Sequence, residues 1–128
     1  MKIEQKQVES FMLKAGQECR EKPAIPDNKV CAFHLTLIKE EWNELSIALM
    51  KDDLVEVADA IGDLLVVVLA TAVACGIDTQ PVWDEIHRSN MTKFIDGYKR
   101  EDGKWMKGPS FQPPNLKPII EEQLGHQL

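Results

Sequence analysis

Residues 54–75 read LVEVADAIGDLLVVVLATAVAC, and Gly76 follows them. Glu56, Asp59 and Asp63 recur at i, i+3 and i+7 and so share one helix face, while Val57, Ile61, Leu64, Leu65, Val67 and Val68 cover the others. A segment apolar on most sides reads as a helix buried on most sides, with Asp52 or Asp53 as its N-cap and Gly76 as its C-cap. Burying several like charges without a counter-ion is costly, because each loses its hydration. A divalent cation is the natural remedy, and it calls for further ligands from a neighbouring element.

Residues 40–44, EEWNE, supply them. On a helix running from about Asp27 or Asn28 to Met50, the side chains Leu35, Ile38, Trp42, Leu45 and Leu49 fall within roughly 80° of one another and form an apolar core stripe. Glu40, Glu41 and Glu44 occupy the adjoining flank. The turn KDD at 51–53 is short enough for the two helices to pack antiparallel, which sets Glu41 and Glu44 opposite Glu56 and Asp59. Carboxylates alone are hard oxygen donors suited to Mg²⁺ or Mn²⁺; zinc is disfavoured without His or Cys nearby.

Charge supports the same focus. The segment 39–63 holds eight acids against Lys39 and Lys51, a net of −6, which is also the net charge of the 128-residue chain. The other 13 acids and 13 bases cancel, so the imbalance belongs to this stretch. No basic footprint for nucleic acid is present. Cys19, Cys31 and Cys75 are isolated and form no CxxC pair, which speaks against a disulfide framework or a zinc cluster and for a reducing cytoplasm. The N-terminal MKIEQKQVESF lacks a signal-peptide core, and the apolar run 64–75 is too short and too closely preceded by acids to span a bilayer. The expectation is a soluble, cytoplasmic protein of one domain, with no nucleic-acid or membrane partner.

The remaining segments read as an all-α antiparallel helix bundle with a short C-terminal hairpin and an extended tail. A first helix from about Glu4 to Arg20 carries Val8, Phe11, Met12, Ala15 and Cys19 on one stripe, and KPAIPD breaks the chain before the second. A fourth helix opens at Asp78 or Thr79 and sets Val82, Trp83, Ile86, Asn90 and Phe94 on one side. Trp42, Trp83 and Phe94 are expected to be packing residues. Asp102-Gly103 signals a two-residue hairpin turn, followed by a proline-rich stretch and a short polar tail. Residues 1–96 are read as the helical catalytic part, and 97–128 as a hairpin and tail within the same domain or at its oligomer interface.

EExxE at Glu40–Glu44 followed by ExxD at Glu56–Asp59 resembles the signature of the all-α NTP pyrophosphohydrolases, the superfamily of MazG, the all-helical dUTPases and dCTPases, and phosphoribosyl-ATP pyrophosphohydrolase. VESFMLKAGQ, KPAIPD, EVADAIGDLLVVV, GIDTQPVWDEIHRSNMTKF and REDGKWMKGPSFQPPNL resemble, in order, the small phage and bacterial MazG-like proteins, over residues 8–116. His34 departs from the pattern, standing where a basic Arg is expected.

The resemblance implies that Glu41, Glu44, Glu56 and Asp59 hold Mg²⁺ or Mn²⁺, with Asp63 as a supporting or additional metal ligand and Glu40 as a base or water-orienting group. It implies that Asn90 and Lys93 bind the substrate; Arg88 is a further candidate, and Lys107 and Trp105 are candidates from the hairpin, as residues closing over a nucleotide or another subunit. The implied reaction is hydrolysis of a nucleoside triphosphate, with a purine dNTP such as dGTP or dATP favoured, to the monophosphate and pyrophosphate. Phosphoribosyl-ATP is the rival substrate, and a non-catalytic metal-binding helical scaffold is a rival of a different class. The apolar surface of the third helix exceeds what a monomer of this size can cover, so a homotetramer built as a dimer of dimers, or a dimer, is expected.

Overall fold

The computed structural model describes residues 2–128. Its elements are α1 (Ile3–Lys14), α2 (Asn28–Lys51), α3 (Leu54–Cys75), α4 (Thr79–Met91), α5 (Lys93–Asp96), β1 (Tyr98–Lys99), β2 (Trp105–Met106) and α6 (Lys117–Leu124). An all-α architecture with one small antiparallel ribbon agrees with the expectation from sequence. The chain divides into two compact units, one up to Thr79 and one over Gln80–Leu128.

In the first unit α3 packs against both α1 and α2. Asp27 caps α2 by accepting from the Val30 amide, and Asp53 caps α3 by accepting from the Glu56 amide. Between them Asp52 takes a left-handed conformation at φ 56°, which reverses the chain in two residues. The core is small: Val8 and Met12 of α1 against Ala70, Val73 and Ala74 of α3, with Cys19, Val30 and Leu69 packed on its edge. The small side chains of α3 let α1 approach closely, and a buried glutamine fixes the contact. Gln5 donates to the Ile77 carbonyl (2.7 Å) and accepts from the Thr79 amide (3.0 Å), so both ends of its amide are satisfied inside the fold.

Helix α1 is shorter than its apolar periodicity predicts. It ends at Lys14, because Gly16 turns the chain with φ 71° and the Gln17 amide returns to the Met12 carbonyl (2.9 Å). The connection that follows is tied to the end of α3 by Arg20 N–Val73 O (3.1 Å) and Ala24 N–Cys75 O (2.9 Å). Gly76 is required twice over: its φ is 69°, and a Cβ there would collide with the Lys22 carbonyl.

The expected core stripe of α2 is not a core within this chain. Leu35, Trp42 and Leu49 are exposed, Trp42 at 61%, because α3 covers a different face of α2. Helix α3 also leaves Leu54, Val55, Leu65 and Val68 uncovered, and Glu56 and Asp59 are exposed too, with Asp63 partly covered. The expectation that these acids are buried therefore fails, since α3 has neighbours on only part of its circumference. Among the described helices α3 alone is long and apolar enough to cross a bilayer, a test that a bundle's core helix also passes.

In the second unit, α4 stops at Met91 rather than continuing through Phe94. Thr92 bends the chain, its hydroxyl and amide both donating to the Ser89 carbonyl. Trp83 (64% exposed) and Phe94 are not packed in a core as expected; Phe94 instead meets the Trp105 ring at 4.9 Å between centroids. The ribbon pairs Tyr98 with Met106 and Lys99 with Trp105. Its turn is a three-residue loop, not the two-residue one expected: Arg100 N reaches Lys104 O (2.7 Å), and Gly103 takes φ 95°. The polar tail also forms a helix, α6, with Pro118 in its first turn and Gly125 at its C-cap.

Candidate active site

The antiparallel turn at Asp52 and Asp53 lays the EExxE flank of α2 against the acidic face of α3. Glu41, Glu44 and Asp63 each offer a carboxylate oxygen, and the three atoms lie within 4.8 Å of one another. Two oxygens on one Mg²⁺ ion lie at most about 4.2 Å apart, and on Ca²⁺ up to about 5 Å, so a small contraction brings these three onto a single ion. The arrangement fits a hard cation in a second respect. The Glu41 Oε2 atom is buried and has no hydrogen-bond partner among the described residues. Burial raises the Glu41 carboxyl above the usual carboxylate range, and its hydrogen bond with Glu44 and the charges of Glu44, Asp63 and Glu40 push the same way. A group of this kind is held in place while lacking the positive partner that its ionised form needs.

Below this trio, toward the turn, an open groove of about 290 Å³ lies between α2 and α3, lined by Glu44, Ala48, Lys51, Glu56, Asp59 and Ala60. Glu44 belongs to both the trio and the groove. The five acids expected as ligands thus form one strip, with Glu41, Glu44 and Asp63 drawn together at one end and Glu56 and Asp59 along the groove. Glu40 is exposed beside Glu41 on α2. His34 is buried with its Nδ1 unpartnered among the described residues, and burial holds its pKa below the usual value.

The other expected site residues, Arg88, Asn90, Lys93, Trp105 and Lys107, belong to the second unit. Asn90 is exposed and Lys93 partly covered. Arg88 is engaged with Glu85 (2.8 and 2.9 Å) and donates to Gln112 (2.9 Å). Lys107 sits 5.3 Å from the centre of the Phe111 ring, and Trp105 rests on Phe94. In the sequence Lys51 stands out only as a turn residue and as one of two bases in the acidic segment. Its signal was the spacing Glu44, Ala48, Lys51 at i, i+4 and i+7, which puts all three on one face of α2.

The phosphoribosyl-ATP pyrophosphohydrolase family model matches residues 8–90. The chain belongs to this family. The match takes in all of α2 and α3, and with them every acid of the strip. Membership in this MazG-like, all-α pyrophosphohydrolase family makes the protein a hydrolase of a phosphoanhydride bond in a nucleotide. Lys93, Trp105 and Lys107 lie beyond the matched residues. No curated protein matches the chain.

Proposed function

We propose that the protein cleaves the bond between the α- and β-phosphates of a nucleoside triphosphate, releasing the monophosphate and pyrophosphate, with Mg²⁺ or Mn²⁺ held by Glu41, Glu44, Glu56, Asp59 and Asp63. The observation that carries this reading is the buried, unpartnered Glu41 oxygen beside Glu44 and Asp63. When bound, the metal supplies neutralisation of charge on the phosphates and on the pyrophosphate leaving group, and in paired sites about 4 Å apart it also activates the water. The chain's own contribution is positioning. Glu40, exposed next to Glu41, orients or deprotonates the attacking water; Asn90 and Lys93 bind the substrate, with Arg88, Lys107 and Trp105 as further contacts. Support for a purine deoxynucleotide such as dGTP or dATP comes from the resemblance to small phage and bacterial MazG-like proteins. Phosphoribosyl-ATP is the second reading, favoured by the family that matches.

Pyrophosphate release with Mg²⁺ from the eight common nucleotides and from phosphoribosyl-ATP decides between the two. Turnover of a dNTP supports the first reading, and turnover of phosphoribosyl-ATP alone replaces it with the second. Silence on all nine substrates leaves an unusual nucleotide substrate or a metal-binding scaffold. The family's enzymes are typically soluble, in keeping with a cytoplasmic place of action.

The same reading includes a homo-oligomer, a tetramer as a dimer of dimers or a dimer. Leu35, Trp42 and Leu49 of α2 and Leu54, Val55 and Leu65 of α3 give the first unit extensive uncovered apolar surface, which in soluble proteins marks an interface. Light scattering at micromolar concentration should return a multiple of 14.5 kDa, and a monomer would refute it.

A further inference from the structure

The groove between α2 and α3 holds a lysine among its acids. Lys51 is the last residue of α2 and lines the groove together with Glu44, Glu56 and Asp59. It makes no ion pair among the described residues, although three carboxylates line the same space. Its backbone is placed by the end of the helix, while its side chain is exposed at the open groove. The left-handed Asp52 ends the helix directly after it, and Ala48 and Ala60, buried at 2% and 3% exposure, form a floor with too little bulk to fill the space between the lysine and the acids. A lysine in the last turn complements the negative end of a helix, which accounts for its presence there but not for the room kept in front of it.

Acids alone repel a polyphosphate. Once cations occupy the carboxylates, the remaining need is a positive group at the groove's other end to meet the phosphates that leave. We propose that Lys51 binds the terminal phosphates of the substrate and the pyrophosphate product, setting the polyphosphate chain along the groove with the reacting phosphorus toward Glu41, Glu44 and Asp63. The inference rests on the pyrophosphohydrolase reading above. A compact ammonium on a flexible stem suits this task, since it can follow the phosphate from bound substrate to leaving group.

The test compares Lys51→Ala, Lys51→Arg and the wild type in three measurements: KM and kcat for whichever nucleotide the wild type turns over, Mn²⁺ affinity without nucleotide, and calorimetric binding of inorganic pyrophosphate with Mg²⁺. Lys51→Ala should raise KM and weaken pyrophosphate binding by about 10-fold, the effect of one lost charge-assisted contact. Its Mn²⁺ affinity should hold or rise, because a neighbouring positive charge is gone. Lys51→Arg should recover most of the pyrophosphate binding. If Lys51 serves only as a counter-charge to the acids or to the helix end, Lys51→Ala will leave KM and pyrophosphate binding within about 2-fold of wild type, and the inference falls. A loss of Mn²⁺ affinity in Lys51→Ala would overturn it as well, by showing a collapsed site. The two levels fail separately: a wild type inactive on every nucleotide defeats the proposed function, whereas the pyrophosphate calorimetry still reads Lys51.

Discussion

Glu41 and Glu85 are the same side chain on two helices, and their surroundings drive them in opposite directions. Glu85 on α4 accepts from Arg88 and from the Asn115 amide (2.7 Å), and the Arg88 hydrogen bond, followed by the Asn115 bond, brings its pKa down to about 2. Glu41 on α2 meets burial, Glu44, Asp63 and Glu40, and its pKa rises. The second unit spends its polar groups on itself: Ser89 donates to the Gln112 carbonyl (2.7 Å), Thr92 accepts from the Gln112 amide (2.9 Å), and Asp96 accepts from the Ser110 amide (3.1 Å). Among the described residues the α2–α3 hairpin leaves the acids of its strip without a cationic partner, Lys51 without an ion pair, and much of its apolar surface uncovered. Polar groups that a fold leaves unsatisfied mark where something else binds, while satisfied ones describe architecture.

The sharpest way to break the contrast is Glu41→Gln. It removes a negative ligand at nearly constant size. Mn²⁺ affinity and turnover should fall together by more than about 100-fold, since even partners outside the ligand shell cost 10–100-fold. The metal-free protein should melt higher, because the neutral amide can keep a hydrogen bond to Glu44 without the like-charge repulsion from Glu44, Asp63 and Glu40. Full activity in this variant would return the acids to an ordinary solvated face. Glu40→Gln should lower kcat by about 100-fold, the low end for a group that handles a proton, with Mn²⁺ affinity within about 2-fold of wild type. Equal loss of metal affinity would place Glu40 among the ligands instead.

Local rules made much of this legible. Helix α3 begins and ends where its Asp53 cap and Gly76 require, and the i, i+3, i+7 acids share a face whatever surrounds them. The reading failed where the outcome depended on what lies opposite a face. Periodicity showed that Leu35, Trp42 and Leu49 form a stripe, but it could not show that α3 covers another side of α2. The same gap explains Asp63. Helical spacing grouped it with Glu56 and Asp59, and only the register across the Asp52 turn brings it to Glu41 and Glu44. Lys51 and Gln5 were missed for a related reason, since one becomes significant through a groove and the other through a bond to Ile77 seventy-two residues away. Helix α6 spans only eight residues behind a proline-rich stretch, too short for periodicity to separate it from a polar tail.

A smaller effect should come from the satisfied side of the comparison. Glu85→Gln keeps the shape but removes the charge that Arg88 and the Asn115 amide both use. The expected outcome is a melting temperature lower by about 2–5 °C, as for a partly exposed ion pair, with KM and Mn²⁺ affinity unchanged. A change in Mn²⁺ affinity would show that Glu85 serves the metal site, and the contrast between the two glutamates would dissolve.

The smallest expected effect is the acid dependence of that same contact. A carboxyl whose folded pKa lies below its unfolded value binds its proton more weakly when folded, so it stabilises the fold while ionised. For Glu85 this contribution is complete above the ordinary value of 4.5 and is lost as the pH falls from there toward about 2. Hydrogen exchange at the Asn115 amide reads it directly, because that amide donates to the Glu85 carboxylate. Protection relative to neighbouring amides of the tail should decline between pH 4.5 and 2 in the wild type and stay flat in Glu85→Gln. A parallel decline in the variant would show that the acid sensitivity of the tail does not come from Glu85.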